Sequence, residues 1–186
     1  MSELEQLVIE CEQVKKEADC IISKEEMQLA VTSLAKEITQ ALGDRFPIVI
    51  GIMNGGLIPM GMLSTELDFP LQMDYLHATR YRNKTSGGQL QWLVSPTISM
   101  QGRTVLLVDD IHDEGVTLAA IKDYCQKEGA EQVYSAVLVN KVHERKNNTH
   151  ADFVALDIPD RYVFGCGMDY KGMLRHVAGV YAVKGL

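Results

Sequence analysis

The segment from Val105 to Leu118, VLLVDDIHDEGVTL, runs an apolar stretch directly into a group of acids. Asp109 and Asp110 come first, then Asp113 and Glu114, then Gly115, Val116 and Thr117. Buried carboxylates are costly unless they are paired or bound to a cation. The acids therefore belong at a rim where a ligand can reach them. Adjacent aspartates on an extended strand end point opposite ways, so one can meet a diol or a metal ion while the other braces the loop. Carboxylates also accept bonds from sugar hydroxyls. Gly115 permits a tight turn, Thr117 offers a hydroxyl, and free amides at a helix start make a phosphate site. No GxxxxGK[ST] precedes the helix, so this is not a Walker loop. By spacing alone, a phosphate site and a plain strand–helix turn both stand. For the aspartate pair a solvated strand end also stands. A receiver-type acid pocket fits poorly, since the pair is mid-chain with no matching carboxylate near the first strand.

The elements that must hold these residues are legible from periodicity. Leu4, Leu7, Val8, Cys11 and Val14 recur at helical spacing. Ser23 to Glu26 has capping-box form and opens a second helix carrying Met27, Ala30, Leu34, Ile38 and Leu42, with Gly43 as its stop. Pro47–Ile52 reads as a buried strand leading into Asn54-Gly55-Gly56 and a short helix to about Leu67. Strands are expected at 71–77, 91–94, 104–108, 133–139, 153–158 and 177–183, with a helix over about 116–128 closed by Gly129. Residues 80–89, RYRNKTSGGQ, are polar, cationic and glycine-bearing, which reads as a mobile loop. Strands alternating with helices and apolar on both faces imply an α/β protein with a mostly parallel sheet covered on both sides. Ligands in such sheets bind beyond the carboxyl ends of the strands. The exits at Asn54, at Asp109–Thr117 and after Lys141 then share one rim.

Composition narrows the function classes. The chain has 186 residues, 46% hydrophobic and 23% charged, which suits one globular domain. Its net charge of −7 gives no general attraction to nucleic acid or anionic membrane, so an anionic ligand needs local donors or a metal. The N-terminus MSELEQLVIECEQ is acidic and does not read as a signal peptide, and no apolar run is long enough to span a bilayer. Cys11, Cys20, Cys125 and Cys166 lack zinc spacing and read as reduced core thiols of a cytoplasmic protein. His77, His112, His143, His150 and His176 lack metal-ligand spacing and read as structural or surface groups, with His112 facing away from the ligand.

Four apolar residues, two acids and D-x-G-x-T resemble the phosphoribosyl-pyrophosphate (PRPP) motif of type I phosphoribosyltransferases. Lys141 after a strand, DFVALDIPDRYVFGCGMDY from Asp152 to Tyr170, and Arg175 narrow the resemblance to the hypoxanthine-guanine branch. It extends from about Pro47 to the C-terminus. It implies a single phosphoribosyltransferase domain over 1–186, with N-terminal helices at about 1–43, a flexible loop at about 80–90 and a small hood and tail at about 159–186. The implied reaction is Mg²⁺-dependent: PRPP and hypoxanthine or guanine give IMP or GMP and pyrophosphate. Asp109 and Asp110 would hold the ribose hydroxyls and their Mg²⁺. Glu114, Gly115, Val116 and Thr117 would cradle the 5′-phosphate. Asp113 would be the general acid/base at purine N7. Asn54, Gly55 and Arg175 would contact pyrophosphate, and Asp169 would be the carboxylate for a second metal ion. Lys141 would meet O6 of the base, Tyr162 would stack on it, and Val163 and Asp169 would read its edge. Arg80 and Tyr81 would act from the flexible loop. The family also implies a non-proline cis peptide near Asn54, and a homodimer or homotetramer.

Three positions depart from the family's usual pattern. Many relatives carry Lys at Asn54 and Thr or Ser at Glu114, and relatives often carry Ser at Arg80. Two other readings remain beside the salvage enzyme. A non-catalytic PRPP or nucleotide sensor should carry a basic patch or a DNA-binding domain, and neither is visible. A xanthine or pyrimidine phosphoribosyltransferase is the other; Lys141 with Tyr162 argues against pyrimidines, whereas xanthine differs from guanine only at C2.

Overall fold

Alternation along the central strands sorts the core into two layers, one on each face of a sheet. The computed structural model describes residues 1–80, 90–145 and 149–185. In chain order the elements are α1 (Glu3–Glu17), β1 (Asp19–Ile22), α2 (Lys24–Leu42), β2 (Ile48–Met53), α3 (Leu57–Ser64), β3 (Gln72–Arg80) and β4 (Leu90–Val94). β5 (Thr104–His112), α4 (Val116–Lys127), β6 (Gln132–Val142), β7 (Phe153–Pro159), β8 (Val163–Phe164) and β9 (Val180–Ala182) follow. Ser2 with Glu5 and Ser23 with Glu26 close capping boxes that start α1 and α2.

Six strands pair in the order β4-β3-β2-β5-β6-β7, and only β3–β4 is antiparallel. On one face Val49, Leu106, Val108, Ala136 and Leu138 pack with Met27, Leu34 and Ile38 of α2 and Met60 and Leu63 of α3. On the other, Ile48, Ile50, Val105 and Leu107 pack with Leu118, Ile121 and Cys125 of α4. A strand with both faces covered has no room for polar alternation, which explains the runs IVIGIM and TVLLV. Each fully buried Leu or Ile contributes about 1.5–3 kcal/mol relative to exposure.

β2 pairs with β3 on one side and β5 on the other, so the strand order reverses at β2/β5. Such a reversal opens a crevice at the carboxyl ends of the two strands. β5 runs further than hydropathy indicates. Its pairing with β6 continues through Asp109↔Val137, Ile111↔Val139 and His112↔Asn140, so Asp109 and Asp110 sit on the strand rather than beyond it.

A second, antiparallel sheet, β1-β9-β8, forms the hood. The strand expected over 177–183 shortens to β9, which takes β1 as one neighbour and β8 as the other. Phe164, Tyr170, Leu174, Val177 and Val183 of the C-terminal segment pack with Cys11, and Leu7 and Val14 of α1 lie against them. All four cysteines are free thiols; Cys11, Cys125 and Cys166 are buried, but Cys20, on the edge strand β1, is exposed and is not the core thiol expected. Among the described residues no helix is long and apolar enough to cross a membrane.

Candidate active site

A cleft of about 680 Å³ lies beyond the carboxyl ends of β2 and β5, with the hood on one side. Asn54 and Gly55 enter it from the β2 exit, Asp109 to Thr117 from β5 and its loop, and Lys141 from β6. The hood segment adds Tyr162, Val163, Asp169 and Arg175. The structure thus gathers the expected ribose, phosphate, pyrophosphate and base residues in one cleft. The Arg80 side chain and Tyr81 lie outside the described residues.

Backbone geometry shapes the phosphate-loop side. Gly115 caps α4 in the left-handed region at φ 77, which turns the chain from β5 into the helix. A β-carbon there would stand 1.8 Å from Thr149 Oγ1, so the turn is packed as well as bent. The first amides of α4 then face the cleft without intrahelical partners, as at any helix start. The Met53–Asn54 peptide is cis, as the resemblance implied.

Under the hood, Asp109 and Asp110 share a crowded site. Both line the cleft, although adjacent residues on a strand point opposite ways. Asp109 Oδ1 accepts a bond from the Asp110 amide at 2.9 Å. Asp110 is buried, and Arg175 Nη1 lies 3.8 Å from its Oδ2. Burial lifts Asp110 to about 6, against the opposing bond from Asp109 and the pull of Arg175. Burial, then the neighbouring Asp110 charge, raises Asp109 well above the carboxylate range. Arg175 also holds Asp169 through Nη2 at 2.6 Å and donates to the Gly167 carbonyl at 2.6 Å. Asp169 Oδ2 accepts from the Gly172 amide at 2.7 Å. Gly167, at φ 110, lets the hood approach this closely: a β-carbon would stand 2.2 Å from the Gly55 carbonyl and 2.9 Å from Asp110 Cβ.

At the other end of the same loop the balance reverses. Asp113 Oδ2 accepts from Lys141 Nζ at 3.0 Å, and its Oδ1 lies 2.7 Å from His143 Nε2. Lys141 Nζ also stands 3.9 Å from Asp160, which pairs with Arg145 at 2.7 Å. Burial raises the Asp113 pKa, but the bonds from Lys141 and His143 outweigh it and hold the carboxyl below the ordinary range. Asp113, His143 and Asp160 come within 4.8 Å of one another through their ligand atoms. Lys141 and Arg145 already supply cationic charge to these acids. Beside them Tyr162 is partly exposed, with its hydroxyl donating to the Asp169 carbonyl at 3.4 Å and its ring edge-on to Tyr170.

One histidine expectation is corrected, and two histidines read as structural or surface groups stand at the cleft or touch its residues. His112 lines the cleft instead of facing away, because β5 extends to it and its ring spans Asn140 and Thr149 at 3.2 and 3.3 Å. His77, at the carboxyl end of β3, lines the cleft too. His143 bonds the candidate acid/base directly. A signal for it was available: residues two apart share a face on extended chain, and His143 stands two after Lys141, one residue past the end of β6 at Val142.

With this geometry the comparisons agree. Residues 19–171 match the family described as "Phosphoribosyl transferase domain". The chain is 33% identical over 165 residues to the hypoxanthine-guanine phosphoribosyltransferase of Bacillus subtilis, covering 88% of this chain and 92% of that protein. The enzyme of that name from Aquifex aeolicus is 29% identical over 171 residues, covering 91% and 96%. A crystal structure of a hypoxanthine phosphoribosyltransferase from Staphylococcus aureus superposes with a TM-score of 0.84 at 26% identity, over 89% of this chain and 91% of that one. A six-stranded sheet reversing at β2/β5, an acidic strand end running into a glycine turn, and these relatives lead to one assignment: the chain belongs to the phosphoribosyltransferase family, among the hypoxanthine-guanine phosphoribosyltransferases.

Proposed function

We propose that this protein transfers the 5-phosphoribosyl group of PRPP to hypoxanthine or guanine, giving IMP or GMP and pyrophosphate, with residues 1–186 acting as one domain. The observation that carries the reading is the Asp113–Lys141 pair at 3.0 Å, set in one cleft with the phosphate loop and the Asp109–Asp110 pair. The names of the relatives support the same substrates.

In this reading the amides of Glu114 to Thr117 and the Thr117 hydroxyl hold the 5′-phosphate. Glu114 contributes its N–H while its side chain turns away. Asp109 and Asp110 accept the ribose hydroxyls. Tyr162 stacks on the purine, and backbone groups of Val163 and Asp169 read its edge. Lys141 carries three N–H donors, so it can bond O6 of a 6-oxopurine, whereas a 6-amino group offers it only a competing donor. As N9 of the base bonds C1 of the ribose, the bond from C1 to pyrophosphate breaks. The proton on N7 passes to the Asp113 carboxylate, which its neighbours keep ionised. Arg175, Asn54 and Gly55 meet the departing pyrophosphate.

Asp109, Asp110 and Asp169 fit Mg²⁺, because they offer only carboxylate oxygens, the donors a hard divalent cation takes. Burial has also raised the first two, and nearby positive charge relieves that. Bound there, Mg²⁺ would supply positive charge against the leaving pyrophosphate. The proposed assembly is a homodimer or homotetramer, which sedimentation can distinguish.

The test is nucleotide formation from PRPP and Mg²⁺ with hypoxanthine, guanine, xanthine, adenine and uracil in separate assays. Turnover of hypoxanthine and guanine, lost in Asp113→Asn, supports the reading. Tight PRPP binding with no turnover of any base refutes it and favours a sensor.

A further inference from the structure

We infer that His143 is a positioning residue for Asp113: its neutral Nε2–H tautomer holds one carboxylate oxygen in place, so that the other can exchange its bond from Lys141 for the purine proton. The inference rests on the phosphoribosyl-transfer reading above.

The tautomer follows from two contacts. Nδ1 of His143 lies 3.1 Å from the Arg145 backbone N, whose N–H can only donate. Nδ1 must therefore accept, and the ring proton sits on Nε2, facing Asp113 Oδ1 at 2.7 Å. An imidazolium would set a second donor against the Arg145 amide. The His143 side chain is only 6% exposed, so water competes poorly for either nitrogen.

The two donors on Asp113 differ in what they can do next. Lys141 has three N–H donors and lies between Asp113 and Asp160, at 3.0 and 3.9 Å, so it can turn to a ligand carbonyl and release Oδ2. His143 has one donor and one acceptor, both engaged, so it stays. The carboxylate then keeps its orientation while one oxygen opens. A neutral N–H suits this task, since it fixes the group without a second full positive charge that would weaken it as a proton acceptor. The charged and titratable groups bonded to Asp113 are Lys141, in β6, and His143, one residue past its end. Asp160, the residue after β7, brings a carboxylate oxygen within 4.8 Å of Asp113 and His143 and is paired in turn with Lys141 and Arg145.

The experiment compares the full-length protein with His143→Leu, His143→Gln and Asp113→Asn, reading kcat/KM for hypoxanthine against pH and, separately, the ring ¹⁵N shifts of His143. His143→Leu is expected to lower kcat/KM about tenfold, the scale of a hydrogen bond to a charged group. Its acid limb should move to higher pH, because Asp113 has lost a donor to its ionised form. His143→Gln, which restores an N–H donor, should recover most of both. The ¹⁵N shifts should report the Nε2–H tautomer in the wild type, whatever the assay gives. A wild-type rate and profile in His143→Leu, equal losses in Leu and Gln with an unmoved acid limb, or an Nδ1–H ring would each overturn the inference. Absence of wild-type turnover with an Nε2–H ring would instead count against the transfer reading and leave the pairing of His143 with Asp113 standing.

Discussion

Asp110 and Asp113 stand three positions apart on one strand end, yet the protein treats them oppositely. Asp110 is buried under the hood with a guanidinium no nearer than 3.8 Å, and burial lifts it to about 6. Asp113 is more open, touches Lys141 at 3.0 Å and His143 at 2.7 Å, and is held below the ordinary range. Burial disfavours charge, whereas close donors favour it, and here the number and distance of the donors decide which wins. A carboxylate starved of positive charge suits a site awaiting cations or sugar hydroxyls. One supplied with donors stays ionised and ready to take a proton. One acidic loop thus carries two carboxylates of opposite charge preference, because the hood covers one of them and Lys141 and His143 bond the other.

The largest expected effect is at the ionised end. Asp113→Asn keeps the shape but removes the proton acceptor, and nucleotide formation should fall by about 10²–10⁴-fold; steady-state kinetics with hypoxanthine reads this directly. Lys141→Gln should cost about 10–100-fold in kcat/KM for 6-oxopurines, the scale of a charged hydrogen bond. It should also narrow the preference over adenine. A loss shared equally by oxo- and aminopurines would show that Lys141 acts only through Asp113.

At the buried end the sign of the stability change is opposite. Asp110 binds its proton more tightly folded than unfolded, rising from 3.8 to about 6. Its contribution to stability is therefore fully present below the unfolded value and is lost as pH rises through about 6. Asp110→Asn should stabilise the metal-free protein at pH 7, by up to about 3 kcal/mol at ~1.4 kcal/mol per unit, while abolishing turnover. Thermal melts of both proteins at pH 5 and 7 check this, and the gap between them should shrink at pH 5. Asp113, held low, contributes in the other direction: its stabilisation is present above the unfolded carboxylate value and is lost as pH falls through the folded one. The smallest effect belongs to Arg145→Ala. Its pair with Asp160 is largely exposed, and such pairs contribute about 0–1 kcal/mol, so a melt within about 3 °C of wild type is expected for a chain of this size.

Much of this was written in the chain. The helical recurrence of Met27, Leu34, Ile38 and Leu42, the all-apolar runs of β2 and β5, and the acids, glycine and threonine of the loop gave the layers, the rim and the phosphate turn. Such signals are local: a period or a turn residue needs no partner elsewhere in the chain to be read. What the sequence did not give depends on distant partners. β1 has only four residues and no alternation, and it exists because Asp19, Cys20 and Ile22 find Ala182, Tyr181 and Val180 at the far end of the chain. β5 extends past its hydrophobic part because β6 supplies hydrogen bonds for Asp109, Ile111 and His112, a term that hydropathy does not contain. Residue types alone marked Asp109, Asp110 and Asp113 as a cluster of equals. Only the tertiary structure, by bringing Gly167 and Arg175 over Asp110 and Lys141 and His143 onto Asp113, decided which carboxylate would resist its charge and which would keep it, because a pKa is set by what stands within a few ångströms and not by position along the chain.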